Sequence, residues 1–71
     1  MSLFYCAIAN EKFQSLLFRN VADGHLFFSE QGVGVHALKS TGILFVAVTE
    51  LQASRQQCVQ FITDVSFFYK S

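Results

Sequence analysis

Phe13-Gln14-Ser15-Leu16-Leu17-Phe18, followed by Arg19-Asn20-Val21-Ala22-Asp23-Gly24, is the stretch on which the architecture turns. Just before it, the aromatic and apolar run Leu3 to Ala9 ends in the polar Asn10-Glu11-Lys12. Two apolar runs about a short polar turn read as paired strands, so residues 3–18 are expected to form a β-hairpin. The six residues from Arg19 to Gly24 then become a connector, with Asp23-Gly24 as its turn signal. Downstream, residues 25–49 hold three more strands: His25 to Ser29, Val33 to Leu38 and Ile43 to Thr49. They are separated by the turns Glu30-Gln31-Gly32 and Lys39-Ser40-Thr41-Gly42.

The last third changes period. Cys58, Phe61, Ile62, Val65, Phe68 and Tyr69 recur at three-four spacing, the stripe of an amphipathic helix. Ser54 with Gln57 three residues on is a capping-box pair, so the helix is expected over 54–70. The reading is α+β: a five-stranded antiparallel sheet with a C-terminal helix on one face, in a single domain over 1–71. In Leu3 to Ile8 and in Ile43 to Val48, both alternating sets of side chains are apolar. That is the pattern of strands covered on both faces, so both are expected inside the sheet. One helix covers one face, and the other needs cover of its own.

Composition narrows the function. With 71 residues, 52% hydrophobic, the chain is too short for two ordinary domains and too oily for disorder. Five basic and five acidic residues leave no net charge, removing the basic patch that nucleic acid or an anionic membrane would need. Two cysteines do not make a disulfide scaffold, which points to a reducing compartment. No run has the length of a membrane span, and the apolar start lacks a basic flank, so a cytoplasmic protein is expected.

Chemistry-bearing constellations are sparse. Glu11, Asp23, Glu30, Glu50 and Asp64 fall at turns, strand ends or the polar helix face, where solvated charge is the ordinary reading. Cys6, Cys58, His25 and His36 match no zinc-ligand spacing. Gly32-Val33-Gly34 precedes a strand rather than a helix and lacks a third glycine, so it is a turn and not a nucleotide loop. No catalytic residue, metal or cofactor is assigned, and the chain is expected not to be an enzyme.

Beyond strand order, three local stretches carry a resemblance: Ser2 to Ala9 with Phe13 to Phe18, His25 to Gly32 running through to Gly42 to Glu50, and Ser54-Arg55 followed by Cys58, Phe61-Ile62 and Asp64-Val65. Together they resemble the longin domain of vesicle R-SNAREs and other trafficking proteins, whose sheet order is 2-1-5-4-3. The likeness lacks one part, the helix that longins place between their second and third strands. Six linking residues reach about 20 Å. Crossing four inter-strand gaps and climbing one strand takes roughly 28 Å. On this reading a single chain does not close in the family topology. It must fold as a meander with one bare face, or exchange strands in a swapped dimer.

The resemblance implies a non-enzymatic protein–protein interaction module in vesicle trafficking. Its expected partner is a SNARE segment, a small GTPase or a tethering subunit, bound at an apolar sheet face or edge strand. No heptad repeat follows the helix, so the chain is not expected to be a SNARE itself unless it is a fragment of one. Homodimerisation is expected too, and any membrane association is indirect, peripheral on endomembranes. Phe18, Phe27, Phe28 and Phe67 are the aromatics assigned to partner binding. The alternative is a small apolar-ligand-binding module of profilin-like or sensory-cradle type, with the ligand on a sheet face of Phe and Val.

Overall fold

A computed structural model of the chain describes residues 3–71, Leu17 by its backbone only. The elements run β1 (Leu3–Asn10), a 3-10 turn (Glu11–Phe13), α1 (Leu16–Arg19), β2 (Gly24–Glu30), β3 (Val33–Ser40), β4 (Ile43–Glu50) and α2 (Arg55–Lys70). The four strands form one antiparallel sheet in the order β1-β4-β3-β2.

Two tight hairpins build the centre. Gln31 and Gly32 (φ 52° and 79°) turn β2 into β3, and Thr41 and Gly42 (φ 50° and 80°) turn β3 into β4. Positive φ at both central positions is the type I′ geometry that matches strand twist. Threonine is β-branched and costs energy in that conformation, so glycine alone relieves the second turn. Ser54 caps α2, its side chain accepting from the Gln57 backbone N–H at 3.4 Å. The helix lies on one face of β3 and β4. There Ile62 packs with Leu38, Phe45 and Ala47, and Ile43, Phe61 and Val65 close the cluster's rim. Tyr69 meets Phe45 edge to face, with ring centroids 5.6 Å apart.

The expected five-stranded sheet is not what forms. Phe13 to Phe18 contributes no strand: the segment is the end of a 3-10 turn followed by the single helical turn of α1. The physical reason is in its composition. Phe-Gln-Ser-Leu-Leu-Phe has no β-branched residue, and Leu and Gln are among the better helix formers. Its burial also inverts a strand's logic, since Gln14 is buried while Phe13 and Leu16 stand in solvent.

Losing that strand dissolves the closure problem. β1 ends and β2 begins at the same end of the sheet, because Asn10 pairs with Ile43 and Gly24 with Lys39. The connection has only three inter-strand gaps to cross, about 14 Å. The whole of residues 11–23 is free to do it, with a reach of about 43 Å. A strand-swapped dimer therefore has no basis in chain length.

This connector also supplies part of the second face's cover, where Val35, Val46 and Val48 stay half-buried. Gln14 Nε2 donates to the carbonyls of Gly42 (2.8 Å) and Ala9 (3.4 Å). The Thr41 N–H donates to the Asp23 carboxylate at 3.1 Å. The buried Lys39 ammonium donates to the carbonyls of Phe18 (2.8 Å) and Arg19 (2.9 Å) at the end of α1, where Phe18 also accepts from the Val21 N–H at 3.2 Å. Thus residues 11–23 form a strap held across the face opposite α2, and Leu44 and Ala37 on that face are buried.

Candidate functional site

The strap starts at β1 but does not shelter it. With the expected second strand absent, β1 is an edge strand, not an interior one. Its register with β4 is unbroken from Tyr5 to Asn10 and shifts between Leu3 and Tyr5, a bulge at Phe4. Pairing with β4 puts Cys6 and Ile8 on the α2 side and Tyr5, Ala7 and Ala9 on the other. Leu3 is 40% exposed, Phe4 62%, Tyr5 58% and Ile8 43%. From Leu3 to Asn10 there is no charged residue. Edge strands are ordinarily blunted by charge, proline, shortness or a bulge, and of these β1 has only its bulge.

The opposite margin, β2, is built differently. Phe27 on its α2 side lies 4.9 Å from the His36 ring, with the Arg55 guanidinium 4.3 Å over the Phe27 ring. Phe28 on the strap side meets Phe18 at 6.4 Å. His25 Nε2 lies 3.2 Å from the Thr63 hydroxyl of α2, and Glu30 ends the strand with a charge.

The four aromatics expected to bind a partner are therefore not brought together. Phe18 and Phe28 pair beneath the strap, Phe27 packs on the α2 side, and all three are half-buried. Phe67 is exposed near the end of α2, where it lines an apolar depression of about 220 Å³ with Phe68 and Ser71. The bare residues of β1 were missed because a run apolar on both sides reads as an interior strand. The signal that could have found them is the absence of any charge from Leu3 to Asn10.

One polar cluster is enclosed between sheet and helix. The Thr49 hydroxyl donates to the Glu50 carbonyl (3.1 Å), which leaves its lone pairs to accept from His36 Nε2–H at 3.2 Å and the Cys58 thiol at 3.9 Å. That donor assignment makes His36 carry its proton on Nε2. Burial lowers the His36 pKa below its ordinary value, and the Arg55 charge lowers it further. Gly34 makes room for this packing: a Cβ there would stand 3.3 Å from Phe27 and 3.4 Å from the Thr49 hydroxyl oxygen. His36, Thr49 and Cys58 are all buried, so this arrangement joins helix to sheet and offers no exposed nucleophile.

A second depression, about 530 Å³ and wide open, is lined by Asn10, Glu11, Lys12 and Arg19. Its lining residues are polar or charged, unlike the Phe and Val sheet face on which an apolar ligand was expected. Among the described residues no three His, Cys, Asp or Glu side chains gather as metal ligands. Nor, among them, is any helix long and apolar enough to cross a membrane. No protein-family model, curated protein or solved structure matches this chain.

Proposed function

We propose that this chain is a non-enzymatic protein-interaction module of vesicle trafficking, cytoplasmic and peripheral on endomembranes, that takes up a partner by strand addition along β1. The observation that carries the docking part is the eight-residue uncharged edge of β1, with four large apolar side chains open to solvent. An edge of this kind supplies affinity through its unpaired main-chain groups and specificity through alternating side chains.

The trafficking part rests on the resemblance to longin domains. It is supported by the order of the strands, since β1-β4-β3-β2 is the longin order with strand two removed. In that comparison the margin left open is the one a longin fills with its own second strand. The partner is a SNARE segment, a small GTPase or a tethering subunit.

The test is a titration of the purified chain with recombinant members of those three classes, followed by amide hydrogen exchange. One class should bind and slow exchange in Leu3–Asn10 selectively, and Tyr5→Lys should abolish both effects. Absence of binding from all three classes removes the trafficking assignment. Binding that leaves β1 exchange unchanged removes the docking site.

A further inference from the structure

We infer that the first occupant of the β1 edge is a second copy of this chain, joined antiparallel about a two-fold axis at Cys6 to give one continuous eight-stranded sheet. This deepens the reading of β1 as the docking margin and rests on it.

Three observations favour a copy over an unrelated strand. The first is electrostatic. A charged edge repels itself, whereas Leu3–Asn10 carries no charge and the chain as a whole has formal net charge +0. The second is register. A two-fold axis perpendicular to a sheet must pass through a residue paired with its own counterpart, and Cys6 is the midpoint of Leu3 to Ala9. Centred there, every apolar residue of that run faces another from the same run. Tyr5 meets Ala7 of the second copy, large against small, on the face away from α2, and the bulged Phe4 falls towards Ile8. Centring on Tyr5 or Ala7 leaves apolar residues of one copy without a counterpart. The third is area. Phe4 and Tyr5 each leave more than half their surface open, roughly 100 Å² apiece. With Leu3, Ile8 and the edge backbone, the two copies together would cover about 1,000–1,200 Å², the lower bound for a specific interface.

A two-fold axis at Cys6 places the two Cys6 Cβ atoms about 4.5–5.5 Å apart, within a small adjustment of disulfide distance. Cys6 is exposed and Cys58 is buried, so cross-linking reports the register. Diamide takes up the two protons and two electrons released when two Cys6 thiols couple.

The experiment combines sedimentation velocity across the micromolar range with diamide treatment of the native chain and of C6S, C58S and Tyr5→Lys. The native chain should move from monomer to dimer with rising concentration. Diamide should give a covalent dimer from the native chain and C58S but not from C6S. Tyr5→Lys sets two like charges near the axis and should weaken association by more than about tenfold. Circular dichroism checks that this exposed position leaves the fold intact. A chain that stays monomeric, a dimer indifferent to Tyr5→Lys, or a covalent dimer formed through Cys58 overturns the pairing.

The two readings fail separately. A monomer whose β1 is still protected by a trafficking partner removes only the self-pairing. A Cys6-centred dimer that binds none of the three partner classes removes only the trafficking assignment.

Discussion

The two margins of the sheet start from similar material and end differently. Both strands carry adjacent aromatics, Phe4-Tyr5 in β1 and Phe27-Phe28 in β2. In β2 each ring has a partner from another element: Arg55 and His36 for Phe27, Phe18 for Phe28. In β1, Phe4 and Tyr5 remain more than half exposed. The difference comes from what lies over each edge rather than from the strands themselves. The strap leaves β1 at one end of the sheet, crosses beneath it and lays α1 over the β2 side.

This contrast can be broken first at β2. Phe27→Ala should destabilise the fold by about 2–3 kcal/mol in a urea melt, because it removes a half-buried ring that meets both His36 and Arg55. Tyr5→Ala should cost under about 0.5 kcal/mol of monomer stability, as expected for an exposed position. Equal losses at the two sites would mean the margins are not different in kind. Next is the strap. Lys39→Met removes the ammonium's two hydrogen bonds, leaving the Phe18 carbonyl with its Val21 N–H at 3.2 Å. It should cost about 1–3 kcal/mol. Hydrogen exchange should quicken over 16–23 and leave β1 unchanged.

Behind β2, against Phe27, β3 carries a buried histidine. His36 faces the Thr49 hydroxyl, the Phe27 ring and the Arg55 charge. Its pKa is lowered in the fold, so the unfolded chain binds the proton more readily between the folded value and about 6.5. The contribution of neutral His36 is thus present above pH 6.5 and is lost as pH falls through the folded value. Urea midpoints should drop over that interval, and Arg55→Gln should make the drop shallower by removing one of the two causes. A midpoint independent of pH through the interval would contradict the buried contact. A small gain is expected at the second hairpin. Thr41→Asn relieves a β-branched residue at φ 50° and should raise stability by about 0.5 kcal/mol.

How much of this was legible depended on which force decided each segment. The helix stripe from Cys58 to Tyr69 and the strand-turn-strand rhythm of 24–50 follow from periodicity and glycine placement, and α2 with β2, β3 and β4 occupies those segments. Phe13 to Phe18 misled because a short apolar run does not reveal its own period. Its fate was decided by Gln14 reaching Gly42 and by Lys39 reaching α1, contacts 28 and 20 to 21 residues apart in sequence. The site suffered for the same reason. Once 13–18 was given to a strand, β1 had a neighbour, and its exposed residues were hidden on paper. Phe18 and Phe28 pack on each other and Phe27 against His36 and Arg55, tertiary contacts with no local signature.

The central cluster of Leu38, Phe45, Ala47 and Ile62 draws on β3, β4 and α2 and includes nothing from β1. Under a mechanical load applied to β1, its ladder with β4 would unzip while that cluster stayed intact. The first strand is in effect a detachable flap, and whatever grips its outer margin adds a second seam to the one that already holds it.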